Sequence, residues 1–158
     1  MRALFPIKKV LKQASEVIYF VGGEGNWKLF PHEEAILMSA FKVLPPEARE
    51  LLHQQISRDF FVERTNKRIN VLRFYDAHSD LRINDPDFED KWLRVHMRVN
   101  GKKEISNVNI YRDFIFSIET WSPKKMYTDA QIRIEKVDQE EADKSYTKSI
   151  DRLEHGRD

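Results

Sequence analysis

The chain has 158 residues, a length typical of one domain rather than two with separate cores. Its 41% hydrophobic and 11% aromatic residues are enough to form a core, which excludes global disorder. Lys and Arg number 27 against 26 Asp and Glu, so the net charge of +1 excludes an overall field that would draw the protein onto nucleic acid or an anionic membrane.

The chain has no cysteine, which excludes disulfides, thiolate nucleophiles and cysteine-ligated zinc and is compatible with a reducing cytosol. The N-terminal segment carries Lys8, Lys9 and Lys12 and lacks the apolar stretch of a signal peptide. The longest apolar run, Val17 to Val21, is far too short to cross a bilayer. We therefore expect a cytoplasmic protein that does not enter a membrane.

The first predicted helix covers residues 7 to 18. Its apolar residues recur at the spacing that places them on one helix face, namely Ile7, Val10, Leu11, Ala14, Val17 and Ile18. Pro6 suits the first turn of a helix, and Gly22-Gly23 suits its end.

Two more helices follow in the predicted order. The second starts near Pro31, has Glu33 and Glu34 in its first turn, and ends at Pro45-Pro46. Its predicted buried residues are Ile36, Leu37, Ala40, Phe41 and Leu44. The same two prolines open a third helix, which buries Leu51, Leu52 and Ile56.

The period then changes from 3.6 to 2, which indicates strands. Leu93 to Val99 alternates apolar and basic residues, and Asn100-Gly101 suits the type I′ turn of a hairpin. The return strand contains Val108 and Ile110. A three-residue loop after it would place Ile110 opposite Phe114 and Val108 opposite Phe116.

Further strands are predicted at Phe60 to Arg64, Ile69 to Tyr75 and Gln131 to Val137. The sequence thus predicts one α+β domain over residues 1–137, with helices in 7–58 packed on one face of a five- or six-stranded antiparallel meander sheet in 60–137. Residues 138–158 are predicted to be a polar tail or a weakly docked helix. The residues predicted to face the helices are Leu93, Val95, Met97, Val108, Ile110, Phe116 and Ile118.

The patterns that could carry catalysis or bind a cofactor are incomplete. Gly22-Gly23-Glu24-Gly25 lacks the Lys-Ser/Thr of a phosphate-binding loop. The acidic loop with Asp80, Asp85, Asp87, Glu89 and Asp90 lacks the spacing and turn glycine of a calcium loop, and no two histidines have metal-ligand spacing. We expect no catalytic residue, no metal and no cofactor, and we consider enzymatic activity the less favoured class.

A basic strand face is the first candidate contact surface. Arg94, His96 and Arg98 share the parity of Trp92, and Arg64, Lys67, Arg68 and Arg73 were expected on neighbouring strands of this face. The face could bind phosphates, or an acidic protein for which Arg and Trp are common anchors. It could also be an ordinary solvated face whose charge is balanced by Glu63, Glu104 and Asp113.

The segment 119–127 is the second candidate surface, because it combines aromatic residues, Met126 and lysines in a loop. The predicted partner-binding residues on the two surfaces are Trp92, Arg94, Arg98, Trp121, Lys124 and Tyr127. The tryptophans would act as anchors and the cations as orienting groups.

Three segments carry a resemblance to small bacterial α+β domains that have helices first and a meander after. They are Leu44-Pro45-Pro46-Glu47-Ala48-Arg49, Asn70 to Tyr75, and Arg94 to Gly101. In size and kind the chain is also similar to the immunity proteins of bacterial toxin systems, which are single cytosolic domains without cofactors. This resemblance implies a toxin as one kind of protein partner and transfers no site residue.

The function we expect from the sequence is that of a non-catalytic cytosolic protein-binding domain, either an immunity-type inhibitor or an adaptor. One alternative is a nucleic-acid-binding domain that uses the basic sheet face. A less favoured alternative is a metal-dependent hydrolase or nuclease that uses the acidic loop.

Overall fold

The structure, a computed structural model, describes residue 20 and residues 25–58, 60–66, 69–74, 81–83, 90–111, 113–120, 122 and 126–141. The predicted helix over 7–18 and the acidic residues 80, 85, 87 and 89 lie outside these described residues.

The two helices in the described region start at the predicted prolines, but the first ends at Phe41, before the predicted end at Pro45-Pro46. Helix α1 spans Pro31–Phe41 and helix α2 spans Pro46–Ile56, and each begins with a proline at its first turn. The five residues predicted to be buried in and just after α1 are all buried, namely Ile36, Leu37, Ala40, Phe41 and Leu44. In α2, Leu52 is fully buried while Leu51 and Ile56 are partly buried against the same core.

The sheet formed by the described residues is antiparallel, as predicted, and has seven strands rather than five or six. They are β1 (Gly25–Asn26), β2 (Phe60–Asn66), β3 (Ile69–Phe74), β4 (Lys91–Val99), β5 (Lys102–Tyr111), β6 (Phe114–Thr120) and β7 (Ile132–Glu141), in the order β1-β2-β3-β6-β5-β4-β7. The strands β4, β5 and β6 form the predicted meander. Helix α1 packs over β4, β5 and β7, and α2 packs over β6.

The strand that the sequence did not predict, β1, begins at the last residue of the glycine cluster, Gly25. Gly25 pairs with Glu63 of β2 and lies against the Phe61 ring. A Cβ atom at position 25 would lie 2.1 Å from Phe61 Cζ, so only glycine permits this close approach. The backbone contact, rather than a helix end, accounts for this third glycine.

The β4–β5 hairpin has the predicted turn. Asn100 and Gly101 have φ angles of 50° and 80°, as a type I′ turn requires. The next connection is shorter than predicted, because Tyr111 lies opposite Phe114.

A bulge in β6 changes which of its residues face the core. Asn109 pairs with Ser117 and Ile110 pairs with Ile115, which leaves Phe116 as the extra residue. The prediction that Phe116 faces the helices is therefore wrong, and Ile115 is buried in the core instead. The other six predicted core positions of the meander are buried.

Gln55 of α2 connects the helix to two other segments. Its side-chain amide donates to the carbonyl oxygens of Leu81 at 3.0 Å and Asp113 at 2.7 Å, and its carbonyl accepts from the Ile115 N–H at 3.2 Å. The side chain is fully buried, so these bonds satisfy groups that water cannot reach.

Strand β7 runs beyond the predicted end of the sheet at residue 137. It pairs with β4 from Ile132 opposite Val99 to Glu141 opposite Lys91. Residues 138–141, predicted to belong to a polar tail, are therefore part of the sheet. Their alternation is hidden in the sequence because both faces of this stretch carry polar residues.

Candidate partner-binding site

The basic residues of β4 lie where the sequence predicted, on the sheet face that points away from the helices. We call this the back face. Leu93, Val95, Met97 and Val99 are buried on the helix side, so Trp92, Arg94, His96 and Arg98 alternate onto the back face.

These cations are paired with acidic residues of the neighbouring strand β7. Arg94 Nη1 lies 2.8 Å from Glu140 Oε1, and Arg98 Nε lies 2.6 Å from Glu135 Oε1. His96 Nε2 lies 2.8 Å from Asp138 Oδ2, which also accepts from Lys136 Nζ at 2.7 Å. The acids shown to pair with Arg94, His96 and Arg98 therefore come from β7, a source that the sequence did not indicate.

The pairing lowers the pKa of two of these carboxyl groups. The hydrogen bond from Arg98 is the main reason that the pKa of Glu135 lies below its ordinary value. The hydrogen bond from Lys136 is the main reason for the lowered pKa of Asp138, and His96 adds to it. Both carboxyl groups are therefore negatively charged at neutral pH.

Arg64 does not contribute to the back face, contrary to expectation, because it points under α1. Its Nε donates to Glu33 Oε1 at 2.9 Å and its Nη2 donates to Glu33 Oε2 at 2.5 Å, with both side chains buried. Asn70 Nδ2 donates to Glu33 Oε1 at 2.9 Å, and the guanidinium lies 4.1 Å from the centre of the Phe30 ring. We call Glu33, Arg64 and Asn70 the buried polar cluster.

The buried polar cluster fixes the start of α1. Glu33 Oε2 accepts from the backbone N–H of Phe30 at 2.8 Å, which is half of a capping box. Arg64 Nη2 also donates to the Lys28 carbonyl at 3.1 Å, so the strand is tied to the segment before the helix. The position of Phe30, Pro31 and His32 is thus set by a buried charge pair.

An open cleft of about 560 Å³ lies between the start of α1 and the segment that leads into β7. We call it the aromatic cleft. Its lining is mostly apolar and consists of Phe30, Pro31, His32, Ala35, Tyr127, Thr128, Asp129, Ala130 and Ile132.

Stacked rings form one wall of the aromatic cleft. The His32 ring stacks on Tyr127 with centroids 4.9 Å apart and planes at 16°, and on Phe30 at 5.9 Å and 20°. Burial raises the pKa of the Tyr127 hydroxyl, and the charge of Glu104 adds to this effect. Tyr127 therefore remains a neutral ring held between α1 and the sheet.

The opposite wall is held in place by the β4–β5 turn. The Asn100 N–H donates to the Gln131 carbonyl at 3.0 Å, and the Asn100 side-chain Oδ1 accepts from the Gln131 N–H at 3.0 Å. Asp129 adopts a left-handed φ of 56° that reverses the chain before β7.

The structure describes four of the six predicted contact residues and places them on two different faces of the sheet. Trp92, Arg94 and Arg98 lie on the back face, whereas Tyr127 is 3% exposed on the helix side and lines the aromatic cleft. Trp121 and Lys124 lie outside the described residues. Met126, beside Tyr127 in sequence, is exposed.

Sequence reasoning missed the buried polar cluster and the partners of Tyr127. The sequence pattern indicates only that Glu33 is an acid in the first turn, where it favours the start of a helix. The one available signal was the glutamate in the third position of the helix, which is typical of a capping box.

The described residues contain no group of three or more His, Asp or Glu side chains that could hold a metal ion. No helix among them is long and apolar enough to cross a bilayer. The chain matches no family model, no curated protein and no solved structure.

Proposed function

We propose that the chain is a non-catalytic protein-binding domain and that its partner inserts an apolar or aromatic side chain into the aromatic cleft. The observation that carries the proposal is the concave, largely apolar lining of this cleft. Sites of this shape, with few polar groups, are the usual places where proteins hold a ligand or an anchor side chain.

The fixed geometry of the cleft supports the same proposal. Phe30, His32 and Tyr127 are stacked, and Glu33 and Arg64 hold the start of α1, where Phe30 is the N-cap residue and His32 lies in the first turn. A wall that is ordered before binding loses little conformational entropy when a partner arrives. The cleft is therefore suited to selective binding of one shape.

Nucleic acid on the back face is the alternative partner. Arg94 and Arg98 are each within 3 Å of a β7 carboxylate, so a phosphate would have to displace an acid already bound to each cation. This arrangement favours a protein over nucleic acid as the partner of the domain.

The experiment is affinity capture with the full chain and two matched tryptophan variants. Ala35→Trp places an indole in the cleft, whereas Glu34→Trp places one on the exposed side of the same helix. We expect a protein captured by the wild type to be retained by Glu34→Trp and lost by Ala35→Trp, with both variants folded as judged by circular dichroism.

Two results would count against the proposal. Equal capture of the same protein by both variants would exclude the aromatic cleft as the binding site. A captured species that is nucleic acid, with an affinity that falls log-linearly as salt rises, would favour the alternative.

A further inference from the structure

Strand β7 lies at the edge of the sheet. It pairs with β4 on one side, and no strand among the described residues pairs with its other side. An edge strand of ten residues presents unpaired N–H and C=O groups that can pair with another strand.

Apart from the bulge residue Glu135, which binds Arg98 within the same chain, the charged side chains of β7 on the back face are separated by sign along the strand. Arg133 and Lys136 lie in the first half, and Asp138 and Glu140 lie in the second half. An antiparallel copy of the same strand would therefore bring the basic half of each copy opposite the acidic half of the other.

One register satisfies this complementarity in full. In this register Val137 lies opposite Val137 of the second copy. Lys136 then faces Asp138 of the second copy, and Asp138 faces Lys136 of the second copy. Strand β7 has its bulge at Glu135, because His96 pairs with Lys136 and Met97 pairs with Ile134. Passing over that bulge places Glu140 opposite Arg133, so four pairs of opposite charge form across the two-fold axis.

The helix side of β7 fits the same register. Ile134 and Val137 are partly buried residues at the margin of the core, and the register places Val137 against Val137 and Ile134 against Gln139. We propose that two copies of this chain associate through β7 into one continuous antiparallel sheet, with the helices of both copies on the same face.

The acids of β7 have room for a second cation. Glu140 binds Arg94 through Oε1, and Asp138 binds His96 and Lys136 through Oδ2. Their side chains are 41% and 42% exposed, so the other oxygen of each carboxylate can accept from the second copy. The intramolecular pairs therefore need not break when the dimer forms.

The dimer would carry two aromatic clefts on one face. Each cleft lies beside Ile132, five residues from the two-fold axis, so the two clefts would be roughly 30 Å apart at the strand rise of an antiparallel sheet. Such a spacing would present two binding sites to one partner.

The test is the mass of the full chain in solution, measured by light scattering and by sedimentation over about 1 to 200 µM, because strand pairing alone gives a weak interface. The wild type is expected to rise from 18.9 kDa to twice that mass. Arg133→Glu and Glu140→Arg should each weaken the dimer about tenfold, since each makes two symmetry-related pairs repulsive. The double variant, which exchanges the charges, should restore it.

Lys103→Glu is the matched control. It makes the same change of charge on an exposed lysine of β5, which is separated from the free edge of β7 by β4, and should leave the mass unchanged. If Glu140→Arg lowers the melting temperature, its effect on the dimer is not specific to the interface, and the comparison of Arg133→Glu with Lys103→Glu then tests the proposal. A wild type that stays at 18.9 kDa throughout, a dimer equally tolerant of Arg133→Glu and Lys103→Glu, or a folded double variant that remains monomeric would overturn the proposal.

Discussion

Replacing Arg64 with methionine should strongly destabilise the protein. The change removes the two hydrogen bonds to Glu33 and the one to the Lys28 carbonyl. The Glu33 carboxylate stays buried, with only the N–H groups of Asn70 and Phe30 as donors in the described part of the chain. A buried charge that has lost its counter-ion is costly, because water cannot reach it.

The expected loss is about 3 to 5 kcal/mol in the free energy of unfolding, the usual cost of breaking a buried ion pair on one side. This is a large part of the roughly 5 to 15 kcal/mol that stabilises a typical domain. Removal of both charges in Glu33→Leu/Arg64→Met should recover part of the loss, since no unpaired charge remains, although the Asn70 side chain and the Phe30 N–H lose Glu33 as their acceptor.

Urea denaturation followed by circular dichroism measures the effect, with Arg94→Ala as the control. Arg94 and Glu140 form an exposed pair, whose loss should cost at most about 1 kcal/mol. If Arg64→Met costs no more than Arg94→Ala, or if the double variant is no more stable than Arg64→Met, the buried pair does not stabilise the start of α1 as argued.

Three further predictions concern the core and the β4–β7 pair. Gln55→Leu should cost about 2 to 4 kcal/mol in urea denaturation, because it leaves buried backbone groups unpaired, while the exposed Gln54→Leu should cost less than about 0.5 kcal/mol. Val95→Asp should unfold the domain by burying an unpaired charge, and equal tolerance of Val95→Asp and Arg94→Ala by thermal denaturation would refute the assigned strand faces. Because the pKa of Asp138 is lowered in the folded protein, its carboxylate stabilises the fold at pH values above the ordinary pKa of 3.8, and this contribution is lost as the pH falls through the folded pKa. Asp138→Asn should therefore flatten this part of a stability profile measured from pH 6 to pH 2.

The sequence predicted Tyr127 as a site residue but did not predict its role in the structure. Tyr127 was selected from the composition of its loop, and it does line a cleft, but as a buried wall stacked on His32 rather than as an exposed anchor. No local pattern could pair residues 32 and 127, because their contact depends on how α1 lies across the start of β7. The role of Trp92, Arg94 and Arg98 as partner contacts stays a prediction.

Periodicity and turn chemistry by themselves determined the α+β class, the two described helices and the β4–β5–β6 meander. These features depend on residues close in sequence, such as the prolines that open α1 and α2 and the Asn100-Gly101 turn. The tertiary structure alone decided the short strand β1, the bulge at Phe116 and the pairing of β7 with β4. It also buried Glu33 with Arg64, 31 residues away. Such contacts form between distant segments, and their energy depends on burial and register, which no single stretch of sequence encodes.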